Sequence, residues 1–97
     1  MGQWPFLDAP NVAVFVSRRI LDAEEWVYYV CHDEDDGSWL FHPRSGVTPE
    51  NEMKIVGLKT MVDLDPTILS LADLPVGWCA WREEEGAEWQ RIRRDPS

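Results

Sequence analysis

The stretch Trp26-Val27-Tyr28-Tyr29-Val30-Cys31-His32-Asp33-Glu34-Asp35-Asp36-Gly37-Ser38-Trp39-Leu40-Phe41-His42 decides the fold. Its two ends are β-branched and aromatic, residue types that fit the pleated, half-buried surface of a sheet. Its middle is a turn. Aspartate side chains hydrogen-bond their own backbone there, and Gly37 takes positive φ at no steric cost. The stretch therefore predicts two antiparallel strands, over 26–31 and 38–42, joined as a hairpin.

On the N-terminal side, Asn11-Val12-Ala13-Val14-Phe15-Val16 is another run of strand length. Val12, Val14 and Val16 share one face, and Ala13 and Phe15 share the other. Both faces are apolar, which predicts a strand that is central or covered on both sides. The polar stretch 17–25, with only Ile20, Leu21 and Ala23 apolar, reverses the chain. Residues 1–10 hold two prolines and read as an irregular lead-in.

On the C-terminal side, Pro43, Gly46 and Pro49 mark a long loop over 43–51. Over 53–74 the period changes: Leu58, Met61 and Val62 follow the i, i+3, i+4 spacing of a helix face. Asp65-Pro66 is a helix start, with Asp65 as N-cap and Pro66 at the first helical position. Ile68, Leu69 and Ala72 are expected on the inner face of that second short helix, and Leu74-Pro75 ends it. A strand over 76–82, the acidic turn Glu83-Glu84-Glu85-Gly86-Ala87 and a strand over 88–92 form the last hairpin. The expected fold is α+β: a mainly antiparallel sheet of about five strands, with one or two short helices between two hairpins. The 97 residues make one domain, 1–97, with 93–97 as a tail.

Eighteen acidic and nine basic side chains give a net charge of −9. A binder of nucleic-acid phosphates normally carries a basic face, so nucleic acid is not the expected partner. An anionic membrane is disfavoured for the same reason. No apolar run reaches the ~18 residues of a membrane span, and no basic-then-apolar leader opens the chain. A cytoplasmic location is the expectation.

Catalytic and metal signatures are weak. Aligning Gly37 with the glycine of a calcium loop puts His32 at the first ligand position and Pro43 at the last, so the spacing fails. Cys31, His32, His42 and Cys79 lack the closely spaced cysteine pairs of a zinc site. No metal or cofactor is expected, and Cys31 and Cys79 read as reduced, half-buried strand residues. No glycine-rich phosphate loop occurs. The carboxylates cluster in turns, where solvation keeps them from acting as general acids. Ser17-Arg18-Arg19 and the arginines 91, 93 and 94 are the basic clusters; the C-terminal one is expected to pair with neighbouring acids or stand in solvent rather than bind phosphate. No enzymatic activity is expected.

The six tryptophans are unusual for so short a chain. Trp and Tyr bury large area at low entropic cost and so dominate binding hot spots. Trp39 follows the first acidic turn, and Trp81 and Trp89 flank the second. The candidate partner-binding residues are therefore Asp33, Glu34, Asp35, Asp36, Trp39, Trp81, Glu83, Glu84, Glu85 and Trp89. Aromatics rimmed by carboxylates suit a basic protein partner.

Several pieces together resemble the immunity protein 33 family of bacterial polymorphic toxin systems. They are Val14-Phe15-Val16-Ser17, the acidic turn into Trp39, Asp65-Pro66-Thr67-Ile68-Leu69, and Leu74-Pro75-Val76-Gly77 leading to Trp81-Arg82. The chain has Asp36-Gly37-Ser38-Trp39 where the family pattern runs Asp-Ser-Gly-Trp, and 41–51 also departs. The resemblance implies a single α+β domain without enzymatic activity that inhibits a toxin by direct binding. The competing expectation is a homodimeric structural or interaction domain using its tryptophans for self-association.

Overall fold

The computed structural model describes residues 4–46 and 48–93. The fold is α+β, built on one six-stranded, mostly antiparallel sheet. In chain order the elements are β1 (Ala13–Ser17), α1 (Arg18–Leu21), β2 (Tyr29–His32), β3 (Trp39–His42), β4 (Met53–Gly57), α2 (Leu58–Leu64), β5 (Trp78–Trp81) and β6 (Gln90–Arg93). Two 3-10 turns, Glu50–Glu52 and Pro66–Leu71, complete it. The strand order is β4-β1-β3-β2-β5-β6. Among the described residues no helix is long and apolar enough to cross a membrane.

Both expected hairpins form: β2 pairs antiparallel with β3, and β5 with β6. The sixth strand is the difference. Residues 53–57 were expected within the helical stretch, yet they pair antiparallel with β1 along all five positions, from Ala13↔Gly57 to Ser17↔Met53. Without them the outer edge of β1 would leave its N–H and C=O groups without ladder partners. The β-branched pair Ile55-Val56 suits that role. The helix starts only at Leu58, after extended Gly57, and buries Leu58, Met61 and Val62 as their spacing requires. One pair, β1 with β3, is parallel, because the chain leaving β1 passes over β3 before entering β2.

Helices cover one face of the sheet only. Val14, Val16, Val30, Phe41 and Ala80 are fully buried beneath Leu58, Met61, Ile68 and Leu71. Asp65 caps its helix as expected, accepting from the Thr67 amide at 3.0 Å. That helix is 3-10, with about three residues per turn, so Ile68, Leu71 and Leu74 face the core. Leu69, expected inside on an α-helical count, is exposed. The lead-in is irregular but packed: Phe6 is buried between Trp4 and Trp39, edge-on to Trp39 at 5.4 Å. Arg93, assigned to a tail from sequence, lies in β6, and residues 94–97 lie outside the described residues.

The other sheet face is open. Register brings Ile55, Phe15, Leu40, Cys31, Cys79 and Ile92 into one row across all six strands. At its centre Cys31 and Cys79 are buried and Phe15 and Leu40 half-buried, while Ile55 and Ile92 at the two edges are 65% and 52% exposed.

Candidate partner-binding surface

The sheet carries the two acidic turns at opposite ends. The 33–38 turn leaves the end of β2, where the Gly77 amide donates to the His32 carbonyl at 2.7 Å. The 82–89 turn lies at the end where β2 begins, where the Arg82 amide reaches the Tyr28 carbonyl at 3.3 Å. A strand length, roughly 13 Å, stands between them.

At the first turn, Asp33 Oδ1 accepts from the Asp35 amide at 2.8 Å, and Asp36 Oδ1 from the Ser38 amide at 3.0 Å. The bond from the Ser38 amide holds the Asp36 carboxyl below its usual range. The Gly37 amide closes the turn on the Asp33 carbonyl at 3.0 Å, with φ of 73° at Gly37. Glu34 and Asp35 project from it and are exposed or nearly so. Trp39 does not accompany them. It is only 2% exposed, its Nε1–H donates to Asp8 Oδ2 at 2.8 Å, and His32 stacks on it at 3.9 Å. The expectation of Trp39 as an exposed anchor is therefore corrected: on β3 it shares the helix-covered face with Phe41, and its one polar atom is satisfied internally.

The second turn is different. Gly86, with φ of 84°, and a bond from the Ala87 amide to the Glu84 carbonyl shape it. Among the described residues the side chains of Glu83, Glu84 and Glu85 make no hydrogen bond or ion pair. The turn stands between two hollows. Trp81, Glu83, Ala87, Glu88 and Gln90 line one of about 440 Å³. Glu85 lines the other, about 220 Å³, with Trp26, Glu24, Glu25 and Asp65 among its walls. Trp81 and Trp89 are both half-buried, so each keeps surface to offer.

The platform under this turn is Arg82, which is fully buried. Its Nε donates to the Val27 carbonyl at 2.9 Å, Nη1 to Thr67 Oγ1 at 3.1 Å and Nη2 to Asp65 Oδ2 at 2.5 Å. Its guanidinium lies 4.3 Å from the Trp89 ring centroid and 5.4 Å from that of Trp26. Trp89 Nε1–H also donates to Thr67 Oγ1 at 3.2 Å. The Asp65 cap, the buried cation and two tryptophans are thus one network. Sequence reading found Asp65 as a cap but missed its pairing with Arg82, 17 positions away. No local signal joins them.

The arginines of the first basic cluster and Arg91 of the second are paired with acids, and Arg94 lies outside the described residues. Arg18 pairs with Asp22, Glu24 and Glu52, and Arg19 with Glu25 and Glu52. Arg91 pairs with Asp73 at 2.6 Å. Hydrogen bonds from Ser45, then Arg19, hold the Glu25 carboxyl below its usual range. Among the described residues no group of three or more His, Cys, Asp or Glu side chains could hold a metal ion.

No protein-family model matches this chain, and no curated protein or solved structure is significantly similar to it.

Proposed function

We propose that the chain is a non-enzymatic, cytoplasmic binding protein that neutralises a basic toxin domain by direct contact, as its resemblance to the immunity protein 33 family implies. The contact surface is the β5–β6 end. The observation that carries this reading is the 440 Å³ hollow bounded by Trp81, Glu83 and Glu88. A lysine or arginine of the partner entering it meets an aromatic ring and two carboxylates at once, the combination that favours a desolvated cation. The carboxylates of Glu83, Glu84 and Glu85 add long-range attraction, which speeds encounter and weakens with salt. Occlusion needs no chemistry from this chain.

The test is kinetic. A partner captured from the native host, or encoded beside this gene, is bound to wild type, to Trp81→Ala and to a triple Glu→Gln variant at 83–85, at two ionic strengths. The triple variant should associate more slowly with a flatter salt dependence, and Trp81→Ala should dissociate faster. Unchanged rates for both variants would sink the assignment.

The open sheet face favours a second reading, a homodimer joined through Ile55, Phe15, Leu40 and Ile92. Each copy brings −9 of like charge to such a contact. A monomer in sedimentation at high salt removes this alternative.

A further inference from the structure

Cys31 on β2 and Cys79 on β5 are directly paired residues of an antiparallel ladder. Paired residues in such a ladder have Cα atoms about 4.5–5.5 Å apart, inside the window a disulfide spans. The neighbouring pair, Val30↔Ala80, faces the helices, so the cysteines face the open side. Their Sγ atoms are 2.7 Å apart. That is longer than the ~2.05 Å of a disulfide bond and within hydrogen-bond contact, so the two thiols are juxtaposed without being joined.

The two sulfurs differ in access. A cavity of about 520 Å³ opens on this face, lined by Cys31 together with Tyr28, Tyr29, Leu40, His42 and Met53. Cys31 is 6% exposed; Cys79 is 1% exposed and does not line the cavity. Tyr29, two residues before Cys31 on the same face, lines the same cavity. Burial, then the neighbouring Cys31 and Cys79, push its phenol pKa up, so it stays a protonated phenol beside them.

We propose that Cys31 and Cys79 are a redox-active dithiol, converted to an intramolecular disulfide by a small disulfide such as oxidised glutathione that reaches Cys31 through the cavity. Cys31 gives its proton to water, and the thiolate attacks one sulfur of oxidised glutathione. The glutathione S–S bond breaks, and one glutathione thiolate leaves and takes up a proton. Cys79, deprotonated in turn, attacks the Cys31 sulfur of the mixed disulfide and expels the second glutathione thiolate. Two protein thiols are oxidised by two electrons, and one oxidised glutathione becomes two glutathione thiols. The product staples β2 to β5, joining positions 48 residues apart.

The experiment equilibrates the whole native chain in buffers of rising oxidised-to-reduced glutathione ratio. Each sample is quenched by alkylation in denaturant and weighed intact. Wild type should lose both alkylatable thiols in one step, ending two hydrogens lighter with no glutathione retained, and its urea midpoint should rise. Cys79→Ser should retain one glutathione, on Cys31. Cys31→Ser should retain none while native and one when treated in urea. Wild type that keeps two alkylatable thiols at every ratio overturns the proposal. So does native Cys31→Ser acquiring glutathione as readily as Cys79→Ser, since the buried sulfur would then be the attacking one.

Discussion

The two acidic turns have similar composition and opposite uses. The 33–36 turn is rich in aspartate, and the 83–85 turn is all glutamate. An aspartate side chain is short enough to accept from the backbone two residues on, and Asp33 and Asp36 both do so. Glutamate is too long for that local bond, so the second turn relies on Gly86 and a backbone bond while its carboxylates stand free. The tryptophans divide the same way. Trp39, beside the first turn, belongs to the core; Trp81 and Trp89, beside the second, keep surface. A run of acids in sequence is therefore not yet a charged surface. What decides is whether the turn's own amide groups need the oxygens.

This contrast can be broken most severely at Arg82. Arg82→Ala strips Asp65 of its cation, frees the Val27 carbonyl and leaves Trp26 and Trp89 without the group between them. Breaking a buried pair costs about 3–5 kcal/mol, read as a lower urea midpoint. Arg82→Lys should recover little of it, because an ammonium cannot reproduce the guanidinium fork. Asp65→Ala should likewise exceed the ~1 kcal/mol of a lost N-cap. A loss no larger than that would show that Arg82 finds other acceptors.

The next effect is on binding. Trp81→Ala should cost about 2 kcal/mol or more in partner affinity, seen chiefly as faster dissociation. In the same assay, glutamine at 83–85 should slow association several-fold at low salt, whereas asparagine at 33–36 should not. Equal slowing by both replacements would erase the distinction between the turns.

Smaller effects should follow at the first turn. Asp33→Ala removes the acceptor for the Asp35 amide and should cost about 0.5–1.5 kcal/mol, whereas Asp33→Asn, which keeps that acceptor, should cost little. Gly37→Ala meets no atom within 4 Å, so its cost, about 1 kcal/mol, comes from positive φ alone. The smallest expected effect is pH dependence at His42. Burial lowers its pKa below the ordinary 6.5, so the unfolded chain takes up this proton first as pH falls. Its contribution is intact above pH 6.5 and is lost as pH drops toward the folded-state pKa. Urea midpoints between pH 7 and 5.5 should decline, and His42→Gln should flatten the decline. An identical slope in that variant would assign it to other groups.

Much of this was legible locally. Strand-forming runs bounded by turn residues located β1, β2, β3, β5 and β6, and helical spacing located the buried face of α2, because each signal is completed within a few residues. Asp65-Pro66 showed its helix start for the same reason. Met53–Gly57 was hidden, since a short β-branched run beside a helical pattern becomes a strand only when a neighbour's edge must be paired. Of the candidate binding residues, Glu83, Glu84, Glu85, Trp81 and Trp89 gather at one end. Asp33, Glu34, Asp35 and Asp36 lie at the other, and Trp39 is in the core.

The sequence by itself determined the α+β class, both hairpins and the excess of negative charge, because residue type, two-residue alternation and charge count need no partner in space. Only the tertiary structure decided that Trp39 is buried, that the acidic turns stand at opposite ends, that Arg82 meets Asp65 and that Cys31 meets Cys79. Each of these depends on strand order and register, which are set by how the whole sheet covers its edges and buries one face. No stretch of chain carries that information alone.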